Sequence, residues 1–127
     1  MTVGRMGAWC MLFFHKKNRT ELEKDPKKYI QTRLSWLEDR GYVQSYFFKN
    51  GENAFTYESP RITVYFLYSD LPEFACSIGY GVPRHTQPLY YFLDPAGKDA
   101  FDALSPEEKV DFAIHKLPEI IHRLDGR

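Results

Sequence analysis

The chain has 127 residues, 43% hydrophobic and 17% aromatic, which is enough apolar surface to build one core and excludes a disordered chain. Seventeen Lys and Arg balance seventeen Asp and Glu, so no overall field draws in nucleic acid or an anionic membrane. The two cysteines, Cys10 and Cys76, lie far apart with no Cys-x-x-Cys or Cys/His spacing, which speaks against a disulfide framework or zinc site and fits a reducing cytoplasm.

At the N-terminus, Gly7 to Phe14 is apolar, but it is too short to span a bilayer, and no small-residue cleavage pattern follows it. Residues 1–20 are expected to be peripheral to a single domain spanning 1–127, and His15 to Arg19 reads as a solvated basic loop. Asp25-Pro26 then starts a helix, with Asp as the cap and Pro at the first helical position. Ile30, Leu34 and Leu37 recur at helical spacing, and Gly41 is placed to close the helix after about Arg40.

From Tyr42 the period changes to two, and Tyr42 to Phe48 reads as a strand. Asn50-Gly51 supplies a hairpin turn, so Ala54 to Glu58 returns antiparallel. Arg61 to Tyr68 alternates clearly, and Glu73 to Tyr80 follows after the Ser69–Pro72 turn. The inward residues are expected to be Phe55, Tyr57, Ile62, Val64, Phe66, Phe74, Cys76 and Ile78. Gly81 to Pro88 reads as a long polar loop, and Leu89 to Leu93 as either a short fifth strand or the start of a helix. After a weakly helical stretch behind Asp94-Pro95, Ser105-Pro106-Glu107-Glu108 makes a capping-box helix start. Val110, Ala113, Ile114, Leu117, Ile121 and Leu124 form that helix's stripe, and Pro118 is expected to kink or divide it. The fold class is therefore α+β: an N-terminal helix, a four- to five-stranded antiparallel meander and a C-terminal helix packed on one face.

Few constellations carry chemistry. The histidines, His15, His85, His115 and His122, show no metal-ligand spacing, and Asp111, His115 and Glu119 read as a solvated helix face. Cys76 shares strand parity with core residues, which argues against a reactive thiolate. Gly79-Tyr80-Gly81 lacks the third glycine and following helix of a phosphate cradle. Neither catalytic residues nor a metal or cofactor is expected. Two binding candidates remain. One is the loop carrying Arg84 and His85, at the end of a rigid sheet. The other is the sheet face away from the core, assigned Gln44, Tyr46, Thr56, Glu58, Arg61, Thr63, Tyr65 and Ser77, where Tyr46, Arg61 and Tyr65 are the residue types that interface hot spots favour.

A helix ending in Gly41-Tyr42, followed by a meander whose Tyr57-Glu58-Ser59-Pro60-Arg61-Ile62-Thr63-Val64-Tyr65 segment leads into a second hairpin, resembles small bacterial α+β proteins of the toxin-immunity kind. The resemblance covers roughly Pro26 to Tyr80 and rests on layout. It implies a non-enzymatic cytoplasmic protein that binds and blocks a protein partner. Inhibitors of nucleases tend to be acidic, and this chain is neutral, which speaks against a nuclease as that partner. Two alternatives stand beside this reading. His85 and Arg84, with Tyr80 or Tyr90, would serve a small-molecule site or modest enzyme, and exposed aromatic sheet faces would suit a homodimer.

Overall fold

The computed structural model describes residues 16–69 and 73–125. The apolar stretch from Gly7 to Phe14, Cys10 and the Asp70–Pro72 part of the third turn lie outside the described residues. Among the described residues three helices precede the sheet: α1 (Lys16–Lys24), α2 (Pro26–Arg33) and α3 (Ser35–Asp39). Five strands follow: β1 (Val43–Lys49), β2 (Glu52–Glu58), β3 (Ile62–Ser69), β4 (Glu73–Tyr80) and β5 (His85–Pro88). A 3-10 turn at Leu89–Phe92 then leads to α4 (Pro95–Asp102) and α5 (Pro106–Leu124). The fold is α+β, with the strands in sequential antiparallel order from β1 to β5.

Local chemistry accounts for most boundaries. The Asp25 side chain accepts from the Lys28 N–H at the start of α2, and Ser105 and Glu108 complete a reciprocal capping box at α5. Both use side-chain oxygens to satisfy N–H groups that have no partner within the helix. Gly41 closes α3 at φ +92°. Asn50 and Gly51 both take positive φ, 54° and 80°, the mirror-image turn whose twist suits a two-residue hairpin.

Four expectations are corrected. The basic run after His15 is helical, because α1 buries Leu22 completely. The first long helix is interrupted at Leu34, where the backbone leaves helical geometry at φ −104°, ψ 7°. Gly81 to Pro88 is a tight turn followed by the fifth strand, and of the two readings for the segment after it the helical one holds, Leu89–Phe92 being a 3-10 helix. Pro118 does not divide α5: the proline is exposed, while Val110, Ala113, Leu117, Ile120 and Ile121 are buried along the other side. Packing of that stripe outweighs the missing backbone donor.

Strand pairing defines the face that meets the helices. Tyr46, Phe55, Phe66 and Cys76 form one cross-strand row, and Gln44, Tyr57, Val64 and Ile78 form the next. Phe55, Tyr57, Ile62, Val64, Phe66, Cys76 and Ile78 are buried, and Phe74 packs partly buried against them. Ring contacts continue from Tyr46 through Phe55, Phe66 and Phe74 to Phe101 and Phe112. Much of the aromatic excess is thus ordinary core.

Candidate interaction surface

The opposite face is built from the alternate residues of the same strands. One row across it reads Phe47, Ala54, Leu67, Ala75, and the next reads Ser45, Thr56, Tyr65, Ser77, Pro88. A third begins at Val43 and passes through Glu58, Thr63 and Gly79 to Thr86. Small side chains dominate these rows, so the face is flat, and its large apolar members stand in solvent: Val43 is 69%, Phe47 61% and Tyr65 43% exposed. Exposed aromatics on one rigid face are a feature that partner-binding surfaces favour. Glu52 and Lys49 close one end as a cross-strand pair.

The predicted site residues are redistributed. Tyr65 lies on the open face as expected, and Arg61 is exposed just ahead of β3. Tyr46 does not lie there. It pairs with Phe55 on the helix-covered face, where its ring packs against Phe55 at 5.0 Å and its hydroxyl donates to Asn53 Oδ1 at 2.5 Å. Gln44 shares that face, opposite Tyr57. A two-residue turn closed by Lys49 and Glu52 fixes this parity, since a slip of one residue would reverse every side chain.

Arg84 and His85 part company. Arg84 lies over Gly79 on the open face, where a Cβ on the glycine would sit 3.1 Å from Arg84 Cδ. Its guanidinium donates to Thr63 Oγ1 at 2.5 Å and to the Pro60 carbonyl at 2.6 Å. Arg84 therefore ties the turn before β5 to the start of β3, and buries Thr63 beneath it. His85 pairs with Tyr80, in the row of Ile62 on the helix side, and Tyr80 is engaged with the Phe92 ring at 5.8 Å. Tyr90 donates to Asp102 at 3.2 Å. These groups do not converge on one position.

Sequence reasoning missed Val43 and Phe47 on the open face and Phe48, 54% exposed, at the β1 edge. It also missed a buried polar contact. Asp111 faces the core instead of solvent, and the Tyr29 hydroxyl donates to its Oδ1 at 2.6 Å. Burial, reinforced by this hydrogen bond, holds the Tyr29 hydroxyl proton more tightly than in a free tyrosine. Burial alone pushes the Cys76 thiol well up, so Cys76 is an inert core thiol. Among the described residues, no group of three or more His, Cys, Asp and Glu side chains could hold a metal ion, and no helix is long and apolar enough to cross a membrane. Comparisons with protein-family models, curated proteins and solved structures gave no match.

Proposed function

We propose that this chain is a non-enzymatic protein-interaction module that binds a protein partner through the open face of its sheet, with Phe47 and Tyr65 as anchors and Val43 on the same face. The observation that carries this reading is the solvent exposure of these side chains on a flat antiparallel sheet. Desolvating large side chains on a rigid platform costs little conformational entropy. An immunity-type role, in which binding blocks the partner, is the finer form of the proposal and draws on the layout from Pro26 to Tyr80. Its proposed setting is the cytoplasm, in keeping with two cysteines in no pairing motif and a buried free thiol at Cys76. Arg84 and His85 do not form a joint small-molecule site, because the guanidinium is engaged by Thr63 and Pro60 and the histidine lies on the other side of the sheet.

The test is capture from native lysate with tagged wild-type chain, Phe47→Ser, Tyr65→Ser and the control Tyr91→Ser, whose side chain is exposed elsewhere. A protein recovered stoichiometrically by the wild type and the control, and lost with both open-face variants, is the expected result. Recovery of the same proteins by all four, or of none by any, sinks the proposal.

A further inference from the structure

We infer that the open face of the sheet takes a second copy of this chain, packed face to face about a two-fold axis that runs parallel to the strands between β2 and β3. The inference rests on the reading of this face as an interaction surface, and it names the occupant. Solvent reaches the face across its whole width: Val43, Ser45 and Phe47 on β1, Tyr65 on β3, Ala75 on β4 and Pro88 on β5 are all exposed.

Large and small side chains alternate on this face from strand to strand. β1 carries Val43 and Phe47 and β3 carries Tyr65 and Leu67, whereas β2 carries Ala54 and Thr56 and β4 carries Ala75, Ser77 and Gly79. β1 and β3 are therefore ridges, and β2 and β4 are grooves. The axis between β2 and β3 sets β3 of one copy over β2 of the other, and β1 over β4, with the cross-strand rows kept level. Phe47 then lies over Ala75 of the second copy, Leu67 over Ala54 and Tyr65 over Thr56. Each ridge meets a groove, which fills the space of about 10 Å between packed sheets. Other positions of the axis fit less well. On β3 it would set Tyr65 against Tyr65, and on β2 it would set Glu52 and Glu58 against their own counterparts. Between β3 and β4 it would leave Phe47 uncovered.

Charges match in the same arrangement. Lys49 and Glu73 end one row on β1 and β4, so Lys49 of each copy lies over Glu73 of the other. Glu58 lies over Thr63 of the second copy, whose Oγ1 accepts from Arg84, and so meets that guanidinium. Lys49, Glu58 and Glu73 are exposed and make no ion pair among the described residues. The net charge of zero leaves no overall repulsion between copies. Four overlapping strands of about seven residues span roughly 20 Å by 23 Å, so the two copies together cover on the order of 900 Å². That is below the roughly 1,200 Å² at which stable complexes begin, and the dissociation constant is expected in the range of tens to hundreds of micromolar. At lower concentration the face stays open to a different protein, which competes with the second copy for it.

Sedimentation velocity on the full chain, from low micromolar to hundreds of micromolar, tests the inference. The expected result is a dimer fraction that rises with concentration and is lost with Ala75→Arg, which fills the place of Phe47 from the second copy. Lys49→Glu and Glu73→Lys should each weaken association about tenfold, because each opposes like charges at two symmetry-related contacts. The double variant Lys49→Glu/Glu73→Lys should return to within about threefold of wild type, since the two changes restore one pair. Tyr91→Lys should leave association unchanged. A monomer throughout, a dimer that Ala75→Arg leaves intact, or a double variant as weak as the single ones overturns this pairing. The charge swap decides the matter even if Ala75→Arg does not fold, because Lys49 and Glu73 are both exposed. A monomer that still captures a partner lost with Phe47→Ser and Tyr65→Ser would refute self-pairing while leaving the interaction reading intact. A dimer that passes the charge swap but captures no other protein would support self-pairing and overturn the binding of a different partner.

Discussion

The two faces of the sheet are made from the same five strands, yet they differ in what their aromatic residues do. On the helix side, Phe55, Tyr57 and Phe66 are almost completely buried and their neighbours carry ring contacts through to α5. On the other side, Phe47 and Tyr65 stand above rows of Ala, Ser and Thr. An aromatic residue on the first face is a stability element. On the second it contributes little to the fold and is free to serve a partner. Arg84 marks the limit of the open area, because it covers the corner around Thr63 and Gly79.

The sharpest way to break this contrast is to truncate one phenylalanine on each face. Phe66→Ala is expected to cost roughly 3–5 kcal/mol, as for other buried phenylalanines. Phe47→Ala should stay within about 0.5 kcal/mol in the same urea titration, as exposed sites do. Comparable losses would mean that the outer face is covered. Arg84→Ala is expected to fall between them, at about 1–2 kcal/mol, because it removes two charge-assisted hydrogen bonds at a partly exposed corner; a neutral result would remove Arg84 as a clamp.

A smaller effect of opposite sign is expected on the covered face. Among the described residues, the Tyr57 hydroxyl is buried without a hydrogen-bond partner, and burial, with a lesser effect from Glu38, pushes its pKa up to about 12. Tyr57→Phe should therefore be neutral or stabilising by up to about 1 kcal/mol, read as a higher urea midpoint. Destabilisation would show that the hydroxyl makes a bond after all.

The same burial sets a pH dependence. Cys76, Tyr29, Tyr42 and Tyr57 all have folded-state pKa values raised above their ordinary values of 9.0 for the thiol and 10.0 for the hydroxyls. The folded state holds these protons more tightly than the unfolded chain does. Their contribution to stability is thus complete below those ordinary values and is lost as pH rises through 9.0 and 10.0 toward the raised ones. Urea midpoints should fall in that alkaline window, and Tyr57→Phe should make the fall shallower. An unchanged slope would mean that Tyr57 titrates normally.

Much of the fold was legible because local signals agreed with the global pattern. Asp25-Pro26, Asn50-Gly51 and Ser105 to Glu108 each name a boundary through a stated hydrogen bond or φ value, and Ile62 to Tyr68 alternates without ambiguity. The β1 parity was legible too, but only through its partner. A turn closed by Lys49 and Glu52 sets Tyr46 beside Phe55, so a hairpin with Phe55 inward carries Tyr46 inward and turns Phe47 outward. Reading the strand from its own residues concealed this, because Tyr42 to Phe48 has apolar members in both phases. The long-range contacts were not legible. Tyr29 and Asp111 are 82 positions apart, and Arg84 reaches back to Pro60 and Thr63. Nothing in local spacing specifies that such groups meet.

The most direct measurement of the central contrast is hydroxyl-radical footprinting of the full chain at low micromolar concentration, read residue by residue by mass spectrometry. An open outer face gives strong labelling at Phe47 and Tyr65 and weak labelling at Phe55, Tyr57 and Phe66. Protection of Phe47 and Tyr65 to the level of Phe66 would contradict it, because the surface assigned to a partner would then already be buried within the chain.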